Sequence, residues 1–174
     1  MSVSSMWISQ LSRVSLSLVG VLTLLPAAGF AAESKNVDDL VMQAQTSMQK
    51  GRPEEAVSSL RKAIDLEPNR ADLYMMRSRA RDSSGKFEAA LDDASKYIEL
   101  QPDDAAGYLN RARIYLSLEK KDSALADANK GIEMAPKEAD GYFRRADIYS
   151  EMGKEAEAKA DEAKAEALDK ASGR

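Results

Sequence analysis

Apolar residues along this chain recur at helical spacing, and the pattern breaks and restarts at regular intervals. Tyr108, Ala112 and Tyr115, with Ile114 nearby, fall on one face of a helix, and after a break around Glu119 to Asp122 the same spacing resumes with Ala124, Ala128 and Ile132. The phrases Ile-Asp-Leu-Glu-Pro, Ile-Glu-Leu-Gln-Pro and Ile-Glu-Met-Ala-Pro end at Pro68, Pro102 and Pro136, and 102 − 68 = 136 − 102 = 34. The same interval connects Tyr74, Tyr108 and Tyr142; Arg77, Arg111 and Arg145; and Ala56, Ala90, Ala124 and Ala158. With one gap it also connects Gly51, Gly85 and Gly153. The glycines suit the left-handed residue that ends a helix, Pro53 suits the first turn of the next, and the later prolines end the second helix because the residue before proline avoids helical geometry. Each unit therefore reads as a helical hairpin, with units at about 37–70, 71–104, 105–138 and 139–172.

The N-terminal residues follow a different rule. Residues 1–31 hold one charged side chain, Arg13, ahead of the apolar run Val14–Leu25 and then Pro-Ala-Ala-Gly-Phe-Ala-Ala. This resembles a secretory signal peptide: the apolar run is shorter than the roughly 20 residues of a spanning helix, and small residues follow it. Cleavage after Ala31 places Gly29 and Ala31 in the two small-residue positions, leaving a short lead-in at 32–36. The resemblance implies an exported protein, periplasmic or secreted, with no membrane insertion once the segment is removed.

Charge and composition narrow the function. Lys and Arg number 25 against 29 Asp and Glu, a net charge of −4, so nothing attracts nucleic acid. There are no cysteines and no histidines, which removes disulfides, thiol nucleophiles, thiolate or imidazole metal sites and the commonest neutral-pH base. Phosphate loops, nucleophile elbows and metal-ligand spacings are likewise missing from the sequence. The adjacent acids Asp38-Asp39, Glu54-Glu55, Asp92-Asp93 and Asp103-Asp104 point about 100° apart on a helix and read as solvated helix ends. The chain is thus expected to be no enzyme and to need no cofactor or metal.

The 34-residue hairpin period resembles the tetratricopeptide repeat, whose pattern places an aromatic, a small residue and a further aromatic on the first helix, then Ala-x3-Phe and Pro on the second. The third unit matches with Tyr108, Ala112, Tyr115, Ala124, Ala128 and Pro136, and the fourth with Tyr142, Ala146, Tyr149 and Ala158. Ser47 and Arg81 depart from it where an aromatic is preferred, and Glu119 where glycine is preferred; looser packing is expected there. The resemblance implies an all-α, right-handed superhelix of four antiparallel hairpins over residues 37–172. Its last helix, around 154–170, is a polar cap with Glu155/Lys159 and Glu166/Lys170 at i, i+4 and with Glu162 in place of an apolar residue.

Function in such an array belongs to the groove lined by the first helices, which holds a peptide of a protein partner. The resemblance places there Val41, Met42, Gln45 and Met48 of the first unit, and Met75, Met76, Arg79 and Asp82 of the second. Leu109, Asn110, Arg113 and Leu116 follow from the third, and Phe143, Arg144, Asp147 and Glu151 from the fourth. The methionines suit either adaptable binding or gap filling between helices. Some relatives hold a C-terminal carboxylate with a clamp of lysines, asparagines and an arginine; Asn110 and Arg144 match it, but Met75, Arg79 and Asp140 do not, and the aspartate opposes a carboxylate.

A second periodic column, Asp93, Asp127 and Asp161, accompanies Arg77, Arg111 and Arg145, while the first unit has Gln43 and Ser59 instead. Joint presence and absence predict structural ion pairs between the two helices of a hairpin. The reading is an exported protein–protein interaction adaptor; a self-associating scaffold of the cell envelope, a homo-oligomer built through the groove or the convex faces, is the alternative.

Overall fold

The structure is a computed structural model that describes residues 27–173, with side chains from Asn36 onward. The expected export segment, 1–31, lies outside the described residues except for the backbone of its last five positions. Eight helices and no strands occur among the described residues: α1 (Ala27–Gln49), α2 (Pro53–Leu66), α3 (Ala71–Ser83), α4 (Phe87–Leu100), α5 (Ala105–Ser117), α6 (Lys121–Met134), α7 (Ala139–Glu151) and α8 (Glu155–Ser172). Consecutive helices pair as hairpins, the second helix of each hairpin packs on the first of the next, and α3, α5 and α7 touch in sequence. This is an α-solenoid. No described helix is long and apolar enough to cross a membrane.

The turn chemistry explains the repeat. Gly51, Gly85 and Gly153 adopt φ of 68°, 73° and 72°, and Glu119, their counterpart in the third hairpin, adopts 59°. The same two bonds close each turn: Gly85 N donates to the Asp82 carbonyl (2.9 Å) and Lys86 N to that of Arg81 (2.8 Å), as Glu119 N donates to Leu116 and Lys120 N to Tyr115 (2.9 Å each). A left-handed conformation is imposed on a residue with a Cβ because the flanking helices and this bond pair determine the turn. The expected break at Glu119–Asp122 is narrower at its end, since Lys121 and Asp122 already belong to α6, with Asp122 in the first turn where the helix dipole favours an acid.

The interior changes along the array. At the N-terminal end Val37, Leu40, Leu60, Ile64 and Leu73 form an aliphatic core. Further on, Ala112, Ala124 and Ala128 pack around Ile148, and Ala90 and Ala94 around Ile114. Small residues bring the helices close there: a Cβ on Gly131 would stand 2.3 Å from Leu109 Cδ2 and 2.7 Å from its Cγ. In α8, Ala158, Asp161 and Ala165 are buried and Glu162 faces solvent. Of the two expected pairs on that helix, Glu166 and Lys170 lie 4.0 Å apart.

All three periodic ion pairs form. Arg77 Nε and Nη2 donate to Asp93 at 2.9 and 2.7 Å, Arg111 to Asp127 at 2.7 and 3.0 Å, and Arg145 to Asp161 at 2.7 and 2.8 Å. Each guanidinium also lies 5.7–5.8 Å from the ring centre of the tyrosine three residues earlier. Arg81, expected to loosen the second hairpin, donates to Asp93 (2.8 Å) and to the Ala89 carbonyl (3.0 Å) instead.

Candidate functional site

The first helices of hairpins two, three and four present one face to a common cavity of about 450 Å³, lined by Arg79 and Ser83 of α3, Ala106, Leu109, Asn110 and Arg113 of α5, and Asp140 and Arg144 of α7. Helical spacing makes this possible: Arg79 and Ser83 are four apart, Ala106, Asn110 and Arg113 are four and three apart, and Asp140 and Arg144 are four apart.

A buried network orients the middle of the site. The Ser78 hydroxyl, fully buried, donates to the Ala90 carbonyl (2.9 Å) and accepts from Asn110 Nδ2 (2.9 Å). This fixes the amide of Asn110, whose Oδ1 is then turned toward Arg113 Nη2 (3.5 Å). Arg113 donates in turn to Asp82, whose side chain is 6% exposed, so one ion pair joins α3 to α5 beneath the cavity. On α7, Arg144 lies 3.6 Å from Asp140 and 3.9 Å from Asp147. Its Nε is buried with no hydrogen-bond partner among the described residues.

Outside the cavity the ionisable groups serve the fold. Desolvation is the largest single influence on the Arg77 cation and acts against it, but the bonds to Asp93 together with the charge of Asp93 and the nearby Tyr74 and Asp65 hold its pKa above the ordinary value. For Arg111 and Arg145 the bonds to Asp127 and Asp161 are the largest effect and act in the same direction. These arginines remain charged at any working pH. Burial, reinforced by its bond to Asp104, pushes the Tyr97 hydroxyl up to about 12. Asp104 also caps α5 by accepting from Ala106 N at 2.9 Å.

The structure brings together Arg79, Leu109, Asn110, Arg113 and Arg144 of the expected groove residues, and adds Ser83, Ala106 and Asp140. Ser83 and Ala106 continue the expected helix faces by one turn, a signal present in the i, i+4 spacing. Phe143 is 38% exposed on α7 beside Arg144. Met75 is 7% exposed and belongs to the N-terminal core, against which Met76, Val41 and Met48 also pack. Gln45 is exposed, and Met42 borders a separate depression with Gln43, Thr46, Ser47, Glu55 and Ser59. Among the described residues no group of three or more acidic side chains is placed to hold a metal ion.

A stack of helical hairpins whose first helices share a lined cavity defines a solenoid interaction module. Three models of the tetratricopeptide repeat match, over residues 41–105, 105–138 and 128–160, so this part of the chain is built of tetratricopeptide repeats. Among solved structures it is similar to MamA, at 25% identity over 84% of this chain and 86% of that one with a TM-score of 0.69. The MamA 41-end structure from Desulfovibrio magneticus RS-1 is similar at 17% identity, 82% and 81% coverage and a TM-score of 0.69. The first such domain of Spaghetti (RPAP3), solved bound to the HSP90 peptide SRMEEVD, is similar at 21% identity, 69% and 95% coverage and a TM-score of 0.63. No curated protein matches the chain.

Proposed function

We propose that this protein is an exported, non-catalytic adaptor that holds a peptide segment of a partner protein in the concave groove formed by α3, α5 and α7. The observation that carries the reading is the convergence of polar side chains from three successive hairpins on one open cavity, with Asn110 and Arg113 held from below by Ser78 and Asp82. Preorganised polar groups beside exposed apolar surface, here Phe143 of α7, are what a binding groove needs. The repeat family and its fold support an interaction role, and the RPAP3 domain carries its peptide on the same fold. Export is the reading of residues 1–31.

Site-specific photo-crosslinking in the native host tests both parts. A crosslinking residue at Ala106 should give one adduct with a partner in the envelope fraction, while one at the exposed Glu133 of α6 should give none. The mature N-terminus should be Ala32. An adduct of twice the protomer mass from Ala106 would place a second copy in the groove and establish the scaffold instead, and a full-length mass in the cytoplasm would sink export.

A further inference from the structure

The charges around the cavity are unevenly compensated, and the imbalance has a direction. Arg113 is matched by the buried carboxylate of Asp82. Arg79, on α3, is exposed and has no carboxylate within ion-pair distance among the described residues. On the opposite wall the proportion reverses. Asp140 and Asp147 of α7, each 64% exposed at the side chain, share Arg144 between them. Glu151, exposed one turn further on, adds a third acid to the same face. The α3 wall thus carries an uncompensated cation, and the α7 wall an excess of anions.

We propose that the groove selects a mixed-charge peptide, with an acidic side chain of the peptide against Arg79 and a basic one against Asp140 and Asp147. The proposal rests on the groove being the peptide site and names the chemistry that the site accepts. A wholly acidic segment would satisfy Arg79 and then meet Asp140 and Asp147; a wholly basic one would meet Arg79. Each wall therefore rejects what the other attracts, and such repulsion sets specificity more than affinity. Neighbouring helix axes stand about 10 Å apart, so α3 and α7 are separated by roughly 20 Å, and an extended chain at about 3.3 Å per residue places the two charges about six residues apart.

Panning a displayed library of random peptides on the full chain, beside Arg79→Glu and Asp140→Lys/Asp147→Lys variants, tests this. All three positions are exposed, and circular dichroism should show unchanged helicity. The chain should enrich peptides with an acid and a base about six residues apart. Arg79→Glu should exchange acid for base at the first position only, and the double variant base for acid at the second only. In fluorescence anisotropy, interchanging the acid and the base in the best peptide should weaken binding about fivefold or more, the scale of one exposed charge contact per end. Enrichment of wholly acidic or uncharged peptides that still depend on Asn110 would overturn the mixed-charge rule and leave the groove in place. No enrichment, or peptides indifferent to all variants including Asn110→Ala, would overturn the groove reading and this inference with it.

Discussion

In the second, third and fourth hairpins an arginine of the first helix forks onto a buried aspartate of the second, with a tyrosine ring beside the guanidinium. In the first hairpin the same positions hold Gln43, Ser59 and Leu40; the depression bounded by Met42, Gln43, Ser47 and Ser59 lies open, and an aliphatic core built on Leu40 and Leu60 joins the helices. The two arrangements differ in what precedes them. Arg111 reaches back to Ser95 of α4 (3.5 Å) and Arg145 to Asn129 of α6 (2.7 Å), while Arg77 feels Asp65 of α2. No described helix packs on that side of α1. The ion pair therefore belongs to a junction of three helices, one of them from the preceding hairpin, and is found wherever that junction is complete.

The comparison is broken most strongly at the ion pair of the third hairpin. Arg111→Leu or Asp127→Leu should each cost about 3 kcal/mol by leaving a mostly buried charge without its partner, whereas the double variant should cost less than their sum. Urea unfolding of the four proteins measures this, and small additive effects would show that the fork contributes nothing specific. A smaller change is expected at the turn between α5 and α6. Glu119→Gly should relieve left-handed strain of roughly 1 kcal/mol and raise Tm by about 2–4 °C, read by thermal melting. Any fall in Tm would mean that the Glu119 side chain contributes more than the strain costs. The smallest effect sharpens the comparison directly. Gln43→Arg with Ser59→Asp should show a coupling of no more than about 1 kcal/mol in a double-mutant cycle. If the grafted pair instead couples as strongly as Arg111 with Asp127, two helices suffice and the three-helix junction is not required.

Much of this was readable from the period of 34. A column that recurs, such as the arginines with their aspartates or the glycines with Glu119 as the exception, reports a position that every hairpin solves alike. Contacts made once leave no such trace. Arg81 turning to Asp93, Asp82 meeting Arg113 across 31 residues, and Tyr97 donating to Asp104 each depend on one partner, Arg81, Asp82 or Tyr97, whose residue type appears at that position in a single unit. The groove shows the same division. Arg79, Asn110, Arg113 and Arg144 follow from the repeating helix face, whereas the withdrawal of Met75 into the core depends on the bulky residues Leu40, Leu60 and Leu73, which gather only at the N-terminal end. Periodicity locates a face; the depth of a side chain on it is set by its particular neighbours.

The backward reach of Arg111 and Arg145 also bears on how the array comes apart. In a linear stack each hairpin is stabilised by its own helices and by the seam with its neighbour, and opening proceeds from whichever end holds least. The bonds to Ser95 and Asn129 stitch the second, third and fourth hairpins across their seams, so those three should open as one cooperative block. The hairpin of α1 and α2 has no stitch of this buried kind: beyond apolar contact it is tied to α3 by Arg70, which donates to Asp38 of α1 and to Asp72 of α3 (3.0 Å each), and both of those acids are exposed. Hydrogen exchange should accordingly spread from α1 toward α3, and the walls of the cavity, all on the stitched hairpins, should stay assembled while the N-terminal hairpin frays.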